Sequence, residues 1–129
     1  MPGREAINLI KRYLDEYNLL EEYTFTGDIF HDKIKLGGKD YGVAGVFFDE
    51  NPNLLANHIF KKYGLVVDIV LLINLKNEIV ILRKNKECDM DLGKLAKQLS
   101  SGGGKDTVAG CLLNDKILNL TKLLKPLTC

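Results

Sequence analysis

The chain has 129 residues, a length typical of one ordinary domain that builds its core without disulfide or metal staples. Charged residues make up 27% and hydrophobic residues 46%, close to the average of soluble globular proteins, which argues against disordered, collagen-like and membrane-embedded classes. The 18 Lys and Arg residues nearly balance 17 Asp and Glu, so the net charge is +1 and any anion-binding site must be local.

The first predicted element is an amphipathic helix over residues 4–22. Ile7, Ile10, Leu14 and Tyr17 recur at helical spacing with charged residues between them. Such a helix needs an apolar surface on which to pack.

A β-hairpin is predicted next. Residues 29–36 alternate between apolar and polar side chains, residues 37–40 read GGKD, which is turn chemistry, and residues 41–48 are a more continuous apolar run. The second strand is therefore expected to be the more buried of the two.

A helix is predicted within residues 49–64, with Asn51 as N-cap, Pro52 at the first helical position and Gly64 as the stop. A second hairpin follows. Its strands are residues 65–75, rich in β-branched side chains, and residues 78–83.

Three further elements complete the chain: a short helix over 90–99 behind a capping Asp91, a strand over 107–113 and a helix over 114–125 before Pro126. Strands and helices in this order predict an α+β fold (mixed α/β), a single five-stranded mixed sheet with helices packed against it. Residues 1–129 are interpreted as a single domain, without linker or internal repeat.

The sequence SSGGGKDTVAGC contains three consecutive glycines at 102–104, followed by Lys105. Phosphate loops of the Walker and dinucleotide types run from a strand through glycines into a helix, and here a helix precedes and a strand follows, so that class is excluded. One interpretation is a backbone nest in which consecutive N–H groups turn toward an anion, with Lys105 adding charge. The alternative is that Gly102 is a left-handed helix C-cap and the other glycines let the loop pass close to a neighbour.

Arg83 is the second candidate for an anion site, at the end of a predicted strand and followed by Lys84 and Lys86. Arginine grips phosphate or carboxylate with two parallel hydrogen bonds, whereas lysine acts as a movable point charge. A solvated strand end is the common alternative. The binding interpretation requires the strand of Arg83 to neighbour the strand that follows the glycines.

Residues 43–113 resemble a known family. GVAGVFF, the helix NLLANHIFKKYG, the hairpin ending in ILRKN, then DLGKLAKQL and GGGKDTVAGC look like the DHH-associated domain of the first type. This is the C-terminal substrate-binding domain of DHH-family phosphoesterases, which include RecJ-like exonucleases. Residues 1–40 lie outside the clear resemblance.

The resemblance implies that Arg83 and the glycines Gly102, Gly103 and Gly104 contact the phosphate and sugar of a nucleic acid or nucleotide. The family loop reads G-G-G-H, and Lys105 stands here where the family has histidine. Lysine keeps a positive charge but lacks an imidazole that exchanges protons near neutral pH. The resemblance therefore implies binding through Lys105, and no catalytic residue is assigned.

Hydrolysis in that family depends on a separate domain whose Asp and His residues hold two divalent ions. This chain has two histidines, His31 and His58, and no D-H-H motif. We therefore expect no cofactor in this chain, with manganese or magnesium only in a separate catalytic domain, and the chain is not expected to be an enzyme alone.

Cys88, Cys111 and Cys129 are an odd number of widely spaced cysteines, which indicates reduced thiols and a cytoplasmic location. The N-terminal residues carry charges throughout and predict no export signal.

The predicted partners are single-stranded nucleic acid or a nucleotide, with a DHH catalytic domain, a replication or repair protein, or a second copy as further candidates, and no membrane. The alternative function is a degenerate relative that has lost substrate contact and acts as a protein-interaction component.

Overall fold

The computed structural model describes residues 4–15, 28–122 and 124–126, in which one sheet is covered by helices on both faces. The helices are α1 (Arg4–Asp15), α2 (Pro52–Tyr63), α3 (Leu92–Leu99) and α4 (Asp115–Thr121). The strands are β1 (Phe30–Leu36), β2 (Lys39–Phe47), β3 (Ile69–Asn74), β4 (Ile79–Lys84), β5 (Gly102–Gly104), β6 (Val108–Leu112) and β7 (Lys125–Pro126).

The strand order across the sheet is β5-β6-β4-β3-β2-β1-β7. Only β2 and β3 pair in parallel among these strands, joined by α2 as the crossover, and the other neighbours are antiparallel. The mixed α+β class is confirmed. The prediction of five strands was wrong, because the three glycines form an edge strand and the two residues of β7 pair with β1.

Alternation along the strands divides the core into two apolar layers. On one face α1 and α2 pack with residues such as Ala44, Leu72 and Ile81. On the other face α3 and α4 pack with residues such as Val43, Leu71 and Leu82. All six residues of β3 are buried, as the continuous apolar run predicted for an interior strand.

Two predicted boundaries were wrong. The strand predicted from residue 65 begins at Ile69, because the backbone N–H groups of Val66 and Val67 donate to the carbonyl of Tyr63 in a turn that leaves Leu65 fully exposed. The helix predicted to residue 125 ends at Thr121, and Pro126 pairs with Phe30. An apolar run predicts a buried strand but does not show where a turn interrupts it and exposes an apolar residue such as Leu65.

The predicted helix caps have mixed outcomes. Asp91 caps α3, its side chain accepting from the N–H of Lys94, as predicted. Asn51 is the N-cap residue of α2, but its side chain makes no capping hydrogen bond and its φ is 53°. Residues 16–22 of the first predicted helix, including Tyr17, lie outside the described residues.

Candidate functional site

The three glycines form β5, an edge strand paired antiparallel with β6. The register sets Gly102 opposite Cys111, Gly103 opposite Gly110 and Gly104 opposite Ala109. The left-handed C-cap alternative was wrong, because α3 ends at Leu99 and its C-cap residue is Ser100, whose N–H donates to the carbonyl of Ala96.

The hydrogen-bonding pattern of this edge leaves two glycine amides pointing outward. The N–H of Lys105 donates to the carbonyl of Val108 at 2.8 Å, and the N–H of Leu112 donates to that of Ser101 at 3.2 Å. Bonded pairs alternate along an antiparallel ladder, so Gly103 faces Gly110 in a bonded pair, while Gly102 and Gly104 direct their N–H groups off the open edge. The prediction of a nest, in which consecutive N–H groups turn toward one point, is thereby corrected: the outward amides of Gly102 and Gly104 alternate with the inward amide of Gly103.

The backbone also shows why glycine is required at two of the three positions. A Cβ at Gly102 would overlap the carbonyl oxygen of Gly110 and approach the Cα of Cys111 at 2.6 Å. Gly104 has a φ of 143°, which side chains rarely adopt, and a Cβ there would lie 2.7 Å from the Cα of Ala109. At Gly103 the nearest atom to an added Cβ is the flexible Cε of Lys97 at 3.7 Å, so this position tolerates a methyl group.

Lys105 is exposed and directly follows this edge. Arg83 pairs with Val108, so β4 and β6 are neighbours, as the binding interpretation required. The N–H of Lys105 donates to the carbonyl of Val108, so Arg83, Val108 and Lys105 lie in one row across the sheet. Two strand spacings place the Cα atoms of Arg83 and Lys105 roughly 9.5 Å apart.

The Arg83 guanidinium is directed toward α2. Its Nη1 donates to Asn53 Oδ1 at 3.0 Å and its Nη2 to Asn57 Oδ1 at 3.3 Å. Sequence reasoning missed this pair of amides, although their i, i+4 spacing places both on one helix face. The two cations thus share a row of the sheet, but the guanidinium packs under a helix while Lys105 lies at the open edge.

Substitution of Arg83 tests this anchoring role. Arg83→Ala is expected to lower the free energy of unfolding by about 1.5 kcal/mol, because the buried Asn53 loses a charged hydrogen-bond donor. Urea unfolding measures the change. Lys105→Ala also removes one cation and is the control, expected to stay within about 0.5 kcal/mol since Lys105 is exposed. Equal stability of both variants would contradict an anchoring role.

The loop between β4 and α3 is bonded to β2 at the end of the sheet that carries Arg83 and Lys105. Asp89 accepts from Lys39 Nζ at 2.7 Å and from the Tyr41 hydroxyl at 2.9 Å. These two donors hold the pKa of the Asp89 carboxyl below its usual value. The bonds fix the loop that follows Arg83 and Lys84.

Thiol and metal chemistry find no support in the part of the chain that the structure describes. Burial raises the pKa of the Cys111 thiol to about 12, and burial is also the main cause that raises the pKa of Cys88, so both thiols are protonated near neutral pH. Cys88 and Cys111 are free, and Cys129 lies outside the described residues. Residues 4–15, 28–122 and 124–126 hold no group of three or more His, Cys, Asp and Glu side chains suited to a metal ion.

A cleft of about 710 Å³ opens at the opposite end of the sheet, where the parallel strands β2 and β3 end. Phe47, Leu75 and Lys76 line it together with Asp49 and Glu50, and none of the predicted binding residues does. Two carboxylates on its wall make this cleft a poor site for an anion. No helix in the described ranges is both long enough and apolar enough to cross a membrane.

Comparison with known proteins gives a distant likeness in fold. No family description and no curated protein matches the sequence. A solved structure of an uncharacterized protein from Helicobacter pylori G27 is 20% identical with a TM-score of 0.52, over 64% of this chain and 22% of that chain. A pGpG-specific phosphodiesterase from Vibrio cholerae is 10% identical with a TM-score of 0.45, over 93% of this chain and 37% of that chain. The chain thus corresponds to less than half the length of either protein.

Proposed function

We propose that this chain is a phosphate-binding module for single-stranded nucleic acid or a nucleotide. The ligand lies along the β5 edge, where the N–H groups of Gly102 and Gly104 and the Lys105 ammonium contact its phosphates. Arg83 has an indirect role in this proposal, because its guanidinium anchors α2 to the sheet. The chain performs no hydrolysis alone, and the metal-dependent chemistry belongs to a separate DHH-type catalytic domain.

The observation that carries this proposal is a side-chain-free edge strand whose outward amides are flanked by an exposed cation. Backbone N–H groups at such an edge bind anionic oxygens without obstruction by side chains. The two amides lie about 6.8 Å apart along the strand, two residue steps, so they suit separate oxygens of an extended ligand. The resemblance of residues 43–113 to the DHH-associated domain supports the same ligand class.

The test is a fluorescence anisotropy titration of a labelled ten-nucleotide single strand. Lys105→Ala is expected to weaken binding about fivefold and to reduce the salt slope by roughly 0.7, the contribution of one phosphate contact to a single strand. Lys76→Ala is the matched control. It removes the same charge from an exposed position in the cleft at the opposite end of the sheet, and its affinity should remain within twofold of wild type.

Two results would overturn the proposal. One is no binding by the wild-type chain at low salt. The other is equal loss in Lys105→Ala and Lys76→Ala, which would indicate attraction by overall charge alone. Absence of binding would favour the alternative function, a protein-interaction component that has lost substrate contact.

A further inference from the structure

Lys84 is a lysine with an unusual environment. Its side chain is only 8% exposed, whereas lysines on a sheet normally extend into water. It is the last residue of β4, and alternation sends it to the face opposite Arg83, the face that α3 covers. Arg83 and Lys84 therefore end the same strand and anchor opposite layers.

The Lys84 ammonium lies between the two segments that flank the glycine edge. Its Nζ donates to the carbonyl of Met90 at 2.7 Å, just before α3, and lies 3.9 Å from Asp106 Oδ2, in the turn between β5 and β6. A second link joins the same segments, because the N–H of Leu92 donates to the carbonyl of Asp106 at 3.0 Å. The ammonium thus connects the start of α3 to the turn that carries Lys105.

Because α3 packs against β5, the link between Lys84 and the start of α3 also affects the position of the outward amides of β5. A Cβ at Gly93, in the first turn of α3, would lie 2.6 Å from the carbonyl oxygen of Gly104. This close approach depends on the position of the first turn of α3. The Met90 carbonyl, just before that turn, accepts from Lys84 itself, and the N–H of Leu92 donates to the carbonyl of Asp106, whose carboxylate lies near the Lys84 ammonium. A displacement of that turn would shift the edge strand.

We propose that Lys84 is a positioning residue that holds the start of α3 and the 105–107 turn together, and thereby orients the glycine edge toward its ligand. The expected effect of Lys84 on ligand binding rests on the proposed function. Its role in holding the start of α3 to the turn does not. Lys84 acts through the turn and does not contact phosphate. Its removal therefore lowers affinity without removing a phosphate contact.

Lys84→Met keeps most of the aliphatic stem and removes the ammonium. Amide hydrogen exchange at Leu92 and Lys105 is expected to accelerate about tenfold or more, while exchange at Leu71 in the central strand stays unchanged. Affinity for the ten-nucleotide single strand is expected to fall about fivefold with an unchanged salt slope, whereas a lost phosphate contact would reduce the slope. Lys86→Met, at an exposed position in the loop that follows β4, is the matched control and should change neither readout.

Asp106→Ala is the second variant, and it removes the other partner from an exposed position in the turn. It should accelerate hydrogen exchange at the same amides, those of Leu92 and Lys105. In the double variant with Lys84→Met, these exchange rates should exceed those of either single variant by no more than about twofold. Unchanged exchange at Leu92 and Lys105 in Lys84→Met overturns the inference, as does wild-type affinity or a reduced salt slope in that variant. If the wild-type chain binds no oligonucleotide, the proposed function fails, and the exchange measurement still decides the role of Lys84.

Discussion

Gly42→Ala is expected to lower the free energy of unfolding by about 3 kcal/mol or more, the largest stability effect of any substitution considered for this chain. Gly42 lies within β2, paired with Lys33 of β1. A Cβ at this position would overlap the backbone carbonyl oxygen of Val66 and lie 3.1 Å from His31 Nε2. The obstacle is backbone, so no side-chain rotation relieves it.

Several hydrogen bonds fix the backbone around Gly42. Its N–H donates to Asp68 Oδ2 at 2.8 Å, and its carbonyl accepts from the N–H of Asp68 at 2.7 Å. His31 Nε2 lies 3.0 Å from the carbonyl of Val66. Because these bonds tie β2 and His31 of β1 to the segment before β3, that segment cannot move away from an added methyl group at Gly42 without breaking a hydrogen bond.

Urea unfolding followed by circular dichroism measures this loss. Gly103→Ala is the matched control, because it adds the same methyl group where the nearest atom would be 3.7 Å away. Its stability is expected to stay within about 0.5 kcal/mol of wild type. A Gly42→Ala variant within 1 kcal/mol of wild type would show that the junction of β2 and β3 yields more easily than this geometry indicates.

Gly102→Ala is expected to weaken oligonucleotide binding about tenfold or more, corresponding to about 1.4 kcal/mol. The added Cβ would overlap the Gly110 carbonyl oxygen and force β5 away from β6. Displacement of β5 misdirects the outward amides at Gly102 and Gly104. Anisotropy titration gives the affinity, and amide exchange at Lys105 and Leu112, which donate across this ladder, reports its opening.

Gly103→Ala is again the matched control, with affinity expected within twofold of wild type. It lies on the same strand, between the two outward amides, and its own N–H faces β6. Equal losses in the two variants would contradict the assignment of the outward amides. Wild-type affinity in Gly102→Ala, with faster exchange at Lys105 and Leu112, would remove this edge from the binding surface.

Much of the fold was predictable from local patterns. The alternation in residues 29–36, the Asp91 cap and the apolar run of residues 65–75 each correspond to an element of the structure, although the strand within that run begins at Ile69. These features depend on the spacing of apolar residues along the chain and on hydrogen bonds between near neighbours, both of which are written in consecutive residues.

The glycine strand was not predictable in this way. Glycine is a poor strand former, so three glycines carry no local signal for β5. The need for glycine arises from the close approach of Gly110 and Ala109 on β6, which is known only once the register between β5 and β6 is known. The same holds for Asn53 and Asn57, whose partner Arg83 lies 30 and 26 residues away along the chain, and for Lys84, which lies near Asp106 in the turn between β5 and β6.

Amino-acid order alone thus determined the identity of most helices and strands, their apolar faces and the candidate residues Arg83, Gly102, Gly103, Gly104 and Lys105. The tertiary structure decided which strands are neighbours, which glycine amides face outward and where the Arg83 guanidinium is bound. The physical reason is that helix and strand preferences act over a few residues, whereas sheet edges and side-chain anchors are set by contacts between segments far apart in the chain.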